Sequence, residues 1–262
     1  LSKQQGSFLL FGGGAAIRSP GHPFLGAFVE AAGGVSAQIL ILTCGSDEAA
    51  EINGIYWELF ASLGATRLVS PIINSREEAD QQSVFDMIAA SQAVFIAGGA
   101  QSKLMEKLSG TAAERAIHTV YANGGLLGGT SCGASIFGDP MILDGGFSDR
   151  HLRKHMIDTS VGFNMLGHPA AVDTHCSSRA RLPRMLALLI EHPQVLGIGM
   201  DEDTGLFIDS NGMARVMGYN AVFFVSAKKA RADAERMSVS GIELCALRDG
   251  DRYDLRSRKQ VP

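Results

Sequence analysis

Gly124-Gly125-Leu126-Leu127-Gly128-Gly129-Thr130-Ser131-Cys132-Gly133-Ala134-Ser135 sets the frame for the rest of the chain. Residues 124–127 read as a short buried strand and residues 134–137 as the start of a helix, with a glycine-dense turn between them. Glycine lets a turn take left-handed or crowded conformations and lets another molecule approach closely. Residues 129–133 also fit Gly-x-Ser-x-Gly, the pattern of a nucleophile elbow, in which a serine sits on a sharp strand-to-helix turn. Taken alone the stretch is a glycine-rich strand–turn–helix, and catalysis requires partners for Ser131.

The same alternation recurs upstream. Residues 7–11 form an apolar strand running into Gly12-Gly13-Gly14; Ile17 stands where Gly-x-Gly-x-x-Gly needs its third glycine, so a turn is read there and not a nicotinamide site. Strands are predicted at 38–43, 67–71 and 93–97, and helices at 24–32, 47–63, 77–90, 102–108 and 112–123. In the second helix Ile52, Tyr56, Leu59, Phe60 and Leu63 share a face, and Gly64 is its natural stop. Continuously apolar strands suit a parallel sheet covered on both faces. The expectation is a doubly wound, mostly parallel α/β sheet sandwiched by helices, with ligands at the carboxyl ends of the strands, where Gly98-Gly99 and Ser131 both lie.

Downstream, residues 145–167, with Asp149, Arg150, Arg153 and Lys154, read as a polar excursion or lid. A strand at 168–173 and a helix at 178–191 follow, with Pro183 in the helix's first turn. Short strands at 195–201, 205–209, 213–217 and 221–226, with close turns such as Ser210-Asn211-Gly212, read as antiparallel hairpins at one edge of the sheet. No linker, repeat or low-complexity segment interrupts the chain, so residues 1–262 are taken as one domain.

A length of 262 residues suits one large α/β domain, and 46% apolar with 19% charged residues excludes a disordered chain. The 27 acidic and 23 basic side chains, net −4, argue against a general nucleic-acid binder. No apolar run approaches the length of a membrane span. Cys44, Cys132, Cys176 and Cys245 are scattered without a Cys-x-x-Cys pair, so buried free thiols are expected and no metal or organic cofactor is called for. The chain starts at Leu1 with no apolar leader; a removed segment stays open, and a cytoplasmic location is the expectation.

A serine nucleophile needs a base, and the base an orienting group. Of seven histidines, His175 alone follows a strand directly and sits at its carboxyl end, level with Ser131. Glu202, in an acidic triplet, ends another apolar strand. The order Ser…His…Glu differs from the Ser…Asp/Glu…His of α/β-hydrolases and disfavours that family. Cys132 is a rival nucleophile, but the flanking glycines centre the elbow on Ser131. In that geometry the backbone N–H groups of Cys132 and of Gly99 would hold an oxyanion, each such donor lowering the barrier by about 3–4 kcal/mol. Arg179, Arg181 and Arg184 follow His175, with 181 and 184 on one helical face; they suit an anionic substrate or, equally, a solvated basic helix start. Asp173 is a carboxylate free to meet a cation, and Gln101 can hydrogen-bond an amide or carboxylate. Such a pocket fits a zwitterionic peptide.

Gly98-Gly99-Ala100-Gln101, Gly129-Thr130-Ser131-Cys132-Gly133-Ala134, Asp173-Thr174-His175 with its three arginines, and Gly199-Met200-Asp201-Glu202 together resemble the cyanophycinases and their relatives, peptidase family S51. The resemblance covers nearly the whole chain. It implies a class I glutamine amidotransferase-like, flavodoxin-like α/β sandwich, usually homodimeric and without cofactor, with Ser131 as nucleophile, His175 as base and Glu202 as its orienting acid. It implies as substrate cyanophycin, a polyaspartate with arginine joined to each β-carboxylate, cut from the chain end into β-Asp-Arg dipeptides. Two positions depart from the family pattern. Thr174 stands where a longer glutamine would line the substrate site, and Cys132 where alanine is usual. Aspartyl dipeptidases share the fold and elbow, so an Asp-X dipeptidase is one alternative and a catalytically silent acidic-peptide binder another; the arginines after His175 favour the cyanophycinase branch.

Overall fold

The computed structural model describes residues 5–14, 16–19, 22–143, 152–153 and 156–262. From the amino terminus run β1 (Ser7–Phe11), α1 (Pro23–Ala31), β2 (Gln38–Leu42), α2 (Ala49–Ser62), β3 (Arg67–Val69), α3 (Arg76–Ala79), α4 (Gln82–Ala89) and β4 (Ala93–Ile96). Then come α5 (Gln101–Leu108), α6 (Ala112–Ala122), β5 (Leu126–Thr130), α7 (Cys132–Ser135), β6 (Met141–Ile142), β7 (Thr159–Ser160), β8 (Ala170–Asp173) and α8 (Leu182–Glu191). The remainder is strand: β9 (Leu196–Met200), β10 (Thr204–Ile208), β11 (Met213–Gly218), β12 (Val222–Ser226), β13 (Arg231–Asp233), β14 (Ser238–Ser240), β15 (Glu243–Leu247), β16 (Arg252–Asp254) and β17 (Lys259–Val261).

The large sheet has the order β17-β16-β11-β10-β1-β5-β4-β2-β3. Its half from β1 to β3 is parallel throughout, as the strand–helix alternation predicts. Successive residues point to opposite faces, and both faces are dry. Leu9, Phe11, Ile39, Ile41 and Phe95 pack against α1 and α2. Phe8, Leu10, Leu40, Leu42, Val94 and Ile96 face the other way, toward α4, α5 and α6. A second sheet, β15-β12-β9-β8, lies on that side, with Ala170, Val172, Ile198 and Phe224 in the same cluster and Ala171 and Val225 under α8.

The expected hairpins therefore divide. β10 and β11 join the large sheet beside β1, turning through Asp209, whose Oδ1 accepts the Asn211 and Met213 amides at 2.8 and 2.9 Å. β9 and β12 pair with each other in the second sheet, because both of their faces are apolar and only a place between two layers buries both. The strand read at 168–173 belongs there too, with α8 covering its crossover to β9. The helix read over 77–90 is broken after Ala79: Asp80 Oδ1 accepts the Ala112 amide at 2.7 Å, tying this corner to the start of α6. α8 starts at Leu182, later than expected, since Ala180 has a φ of 50° and cannot lie in a right-handed helix. Of the expected excursion at 145–167, Asp149, Arg150 and Lys154 lie outside the described residues, and its later part supplies β7, paired with β6. Among the described residues no helix is long and apolar enough to cross a membrane.

The aromatic packing under β4 gives a test of this core. Phe95 is fully buried, with the rings of Phe28, Tyr56 and Phe60 at centroid distances of 5.3, 5.1 and 5.4 Å. Phe95→Ala should cost about 3–5 kcal/mol. It would be read as a lower urea midpoint at unchanged slope.

Candidate active site

Three loops meet at the carboxyl end of β1. Phe11, Gly12 and Gly13 offer three consecutive carbonyls, which accept the amides of Ser131 at 3.0 Å, His175 at 3.0 Å and Asp203 at 3.2 Å. The residues that sequence reading singled out at separate strand ends are thus tied to one short segment of backbone. Gly13, at a φ of +96°, must be glycine twice over: a Cβ there would stand 2.5 Å from His175 Cε1 and Nε2. The Gly12-Gly13-Gly14 turn, which lacks the third glycine of a nucleotide motif, is the floor under the histidine.

Ser131 takes φ 54°, ψ −123° between β5 and α7, a strained conformation for a residue with a side chain. Its Oγ lies 2.9 Å from His175 Nε2, and His175 Nδ1 lies 2.6 Å from Glu202 Oε1. The hydrogen bond from His175 holds Glu202 below the usual carboxylate range, so its oxygens only accept. The His175 proton then sits on Nδ1, and Nε2 is left to accept from the Ser131 hydroxyl. Burial is the largest influence on the imidazole and lowers its pKa; the Glu202 hydrogen bond opposes this, and the nearby Arg179 charge adds to the lowering. Ser178 Oγ donates a further bond to Glu202 Oε1 at 3.0 Å. Beyond Glu202, Asp201 Oδ1 accepts the Ser177 amide at 2.8 Å and so ties the histidine's loop to the glutamate's.

Two hollows flank Ser131. The larger, about 520 Å³, is bordered by Arg18, Ser46, Tyr56, His175, Arg179 and Glu202. The smaller, about 200 Å³, is bordered by Gln101, Cys132, Arg179 and Arg181. Gly99 lies on both, and a Cβ on it would stand 2.3 Å from the Gly45 carbonyl oxygen. The Cys132 thiol faces the Gly99 carbonyl at 2.8 Å and Gln101 Oε1 at 2.9 Å, while Gln101 Nε2 donates to the Ile142 carbonyl at 3.2 Å. Gln101 is therefore oriented by the protein on both its amide atoms.

Asp173, Thr174 and Arg184, expected from the sequence to meet substrate, fall behind the site. Asp173 is 1% exposed and its carboxylate, read from sequence as free, is taken by the protein. Arg184 grips both of its oxygens, through Nε at 2.7 Å and through Nη2, and Arg181 Nη1 reaches it at 3.1 Å. A carboxylate removed from water is tolerable only with partners of this kind. Thr174, also 1% exposed, donates its amide to Asp173 and accepts from Arg181 through its carbonyl, and it borders neither hollow. Arg179 is exposed and borders both hollows; Arg181 borders the smaller.

Sequence reading missed Arg18, Ser46 and Tyr56. Arg18 and Ser46 lie in the loops after β1 and β2, seven and four residues past the strand ends, so no position directly after a strand marks them. Tyr56 belongs to the buried stripe of α2 as well as to the hollow's border, and burial pushes its phenol up to about 12. Burial also raises Cys44 to about 11 and Cys176 to about 12, as suits inert buried thiols.

A serine, a histidine and a carboxylate in hydrogen-bonded succession place the chain among the serine-type hydrolases. Residues 51–216 match the profile of peptidase family S51, and the chain belongs to that family. It is a serine-type peptidase. The cyanophycinase of Synechococcus elongatus is 31% identical over 255 residues, covering 94% of this chain and 79% of that protein. That of Trichormus variabilis is 32% identical over 258 residues, covering 95% and 86%. The solved structure of a peptidase from an acI-B1 Actinobacterium superposes with a TM-score of 0.70 at 19% identity, over 97% of this chain and 98% of that one. A putative peptidase E from Listeria monocytogenes EGD-e gives 0.54 at 13%, over 82% and 99%. These two likenesses show the fold.

Gly13→Ala displaces the imaginary line from Ser131 to His175 without touching either side chain's chemistry. Peptidase kcat/KM should fall about a hundredfold, the usual cost of a misplacement near 1 Å. Circular dichroism should show an intact fold.

Proposed function

We propose that this chain is an exopeptidase that hydrolyses cyanophycin, or a peptide of the same aspartate-rich chemistry, from the chain end. The reading rests on the unbroken path from Ser131 Oγ through His175 to Glu202 Oε1, in a chain about 31% identical to proteins named cyanophycinase. Ser131 is the nucleophile, His175 the base and Glu202 the acid that orients it. Residues 1–262 act as one peptidase domain of the class I glutamine amidotransferase-like type.

Ser131 Oγ attacks the peptide carbonyl while its proton passes to His175 Nε2. The negative charge reaching the carbonyl oxygen is met by the Gly99 and Cys132 backbone N–H groups. Cys132 N–H opens α7, where the first amides have no partner within the helix. The imidazolium formed is stabilised by Glu202, then protonates the departing amine as the tetrahedral intermediate collapses. Water enters, gives its proton to His175 and attacks the acyl-serine; collapse returns the proton to Ser131 Oγ and frees the acid. Arg179, exposed and bordering both hollows, suits a carboxylate of the substrate.

Ser131→Ala should lower dipeptide release by about 10⁶-fold. Turnover near wild type in that variant would falsify the mechanism. The pH profile is a second check. His175 must be neutral to accept the proton, and burial lowers its pKa from 6.5. The acid limb of kcat/KM should therefore lie below pH 6.5, with activity lost as pH falls through it and flat through neutrality. A limb well above 6.5 would mean that the imidazolium dominates near pH 7, against the assigned role.

A further inference from the structure

A groove of about 670 Å³ lies away from Ser131, between the ends of β12 and β15 and the last turn of the chain. Lys228, Lys229, Arg256, Arg258 and Lys259 line it, against one carboxylate, Glu243, which pairs with Lys229 at 3.2 Å. Lys228 and Lys259 are exposed and make no ion pair among the described residues. Arg256 lies within electrostatic reach of Asp254, which does not line the groove. Arg258 donates through Nη2 to the Gln194 carbonyl, while its buried Nη1 has no acceptor among the described residues. Positive charge is concentrated here in a chain whose net charge is −4.

The groove's position excludes it from the catalytic rim. Ser226 pairs with Leu196, and Val222 with Met200. Glu202 follows the Met200 end of β9, and the groove lies at the Leu196 end, about 13 Å away at the usual strand rise. A polymer continues beyond the units held at Ser131 and carries further carboxylates toward the groove.

We propose that this groove is a second binding site, which holds carboxylates of a substrate segment remote from the bond being cut. The proposal rests on the cyanophycin reading. In that polymer each arginine is joined through its α-amino group, so every unit keeps a free carboxylate. Guanidinium and ammonium groups at several points along a groove match such a row. The units' own guanidinium groups, on long flexible side chains, remain in water.

The test compares Ser131→Ala with the same protein carrying Lys228→Ala, Arg256→Ala and Lys259→Ala, three exposed positions outside the catalytic machinery. Retention on bead-immobilised cyanophycin should weaken about tenfold, the loss expected of three exposed charge pairs, and more at low salt than at high. With Ser131 restored, the triple variant should keep wild-type kcat and KM on a soluble two-unit substrate and lose rate on the polymer. Undiminished retention by the triple variant, with dipeptide release by the wild type intact, sinks the groove alone. Groove-dependent retention without any dipeptide release supports the groove and sinks the reading of the chain as a hydrolase of cyanophycin. Binding of inorganic polyphosphate in the groove with no retention on cyanophycin would overturn the proposal in favour of a phosphate polymer.

Discussion

Three carbonyls in a row, on Phe11, Gly12 and Gly13, carry the geometry of the rim. They take the amides of Ser131, His175 and Asp203, one from each of three loops that are far apart in sequence. Each bond alone contributes about 1 kcal/mol. Their effect is larger than that sum suggests, because they fix the relative positions of the backbones that carry Ser131, His175 and Glu202. β1 can serve in this way because it lies at the junction of the large sheet, parallel to β5 on one side and antiparallel to β10 on the other.

The two halves of the rim are held by different means. On the serine side the restraint is steric: the left-handed backbone at Ser131 and the contact of Gly99 with the Gly45 carbonyl leave little room for any other path. On the histidine side it is electrostatic. Asp173 ends β8 and is closed on by Arg181 and Arg184 from the start of α8, so the loop bearing His175 is clamped at its base. The clamp is buried, which strengthens it and shields it from salt. It also removes Asp173 and Arg184 from contact with substrate, and leaves Arg179 as the arginine that borders both hollows.

The parallel half of the large sheet was legible because its strands are apolar on both faces and its turns are rich in glycine. Ser131, His175 and Glu202 were legible because each directly follows such a strand. β13 to β17 were not: residues such as Arg231, Ser238, Glu243 and Lys259 are exposed, and short exposed strands carry no period of two to read. The start of α8 was misplaced because a left-handed Ala180 leaves no mark in composition. Tyr56 was assigned to the core correctly by its helical spacing, yet the same spacing carries no sign that it also borders the larger hollow.

The sequence by itself determined the strand–helix alternation, the glycine turns and the side chains at the strand ends, since these follow from local periodicity and from what a backbone without a Cβ can do. Tertiary structure decided the partition of strands between two sheets, the pairing of Asp173 with its own arginines and the orientation of Gln101 by Cys132. Each of these depends on groups in different elements competing for the same buried space or charge, and no local pattern records which partner wins.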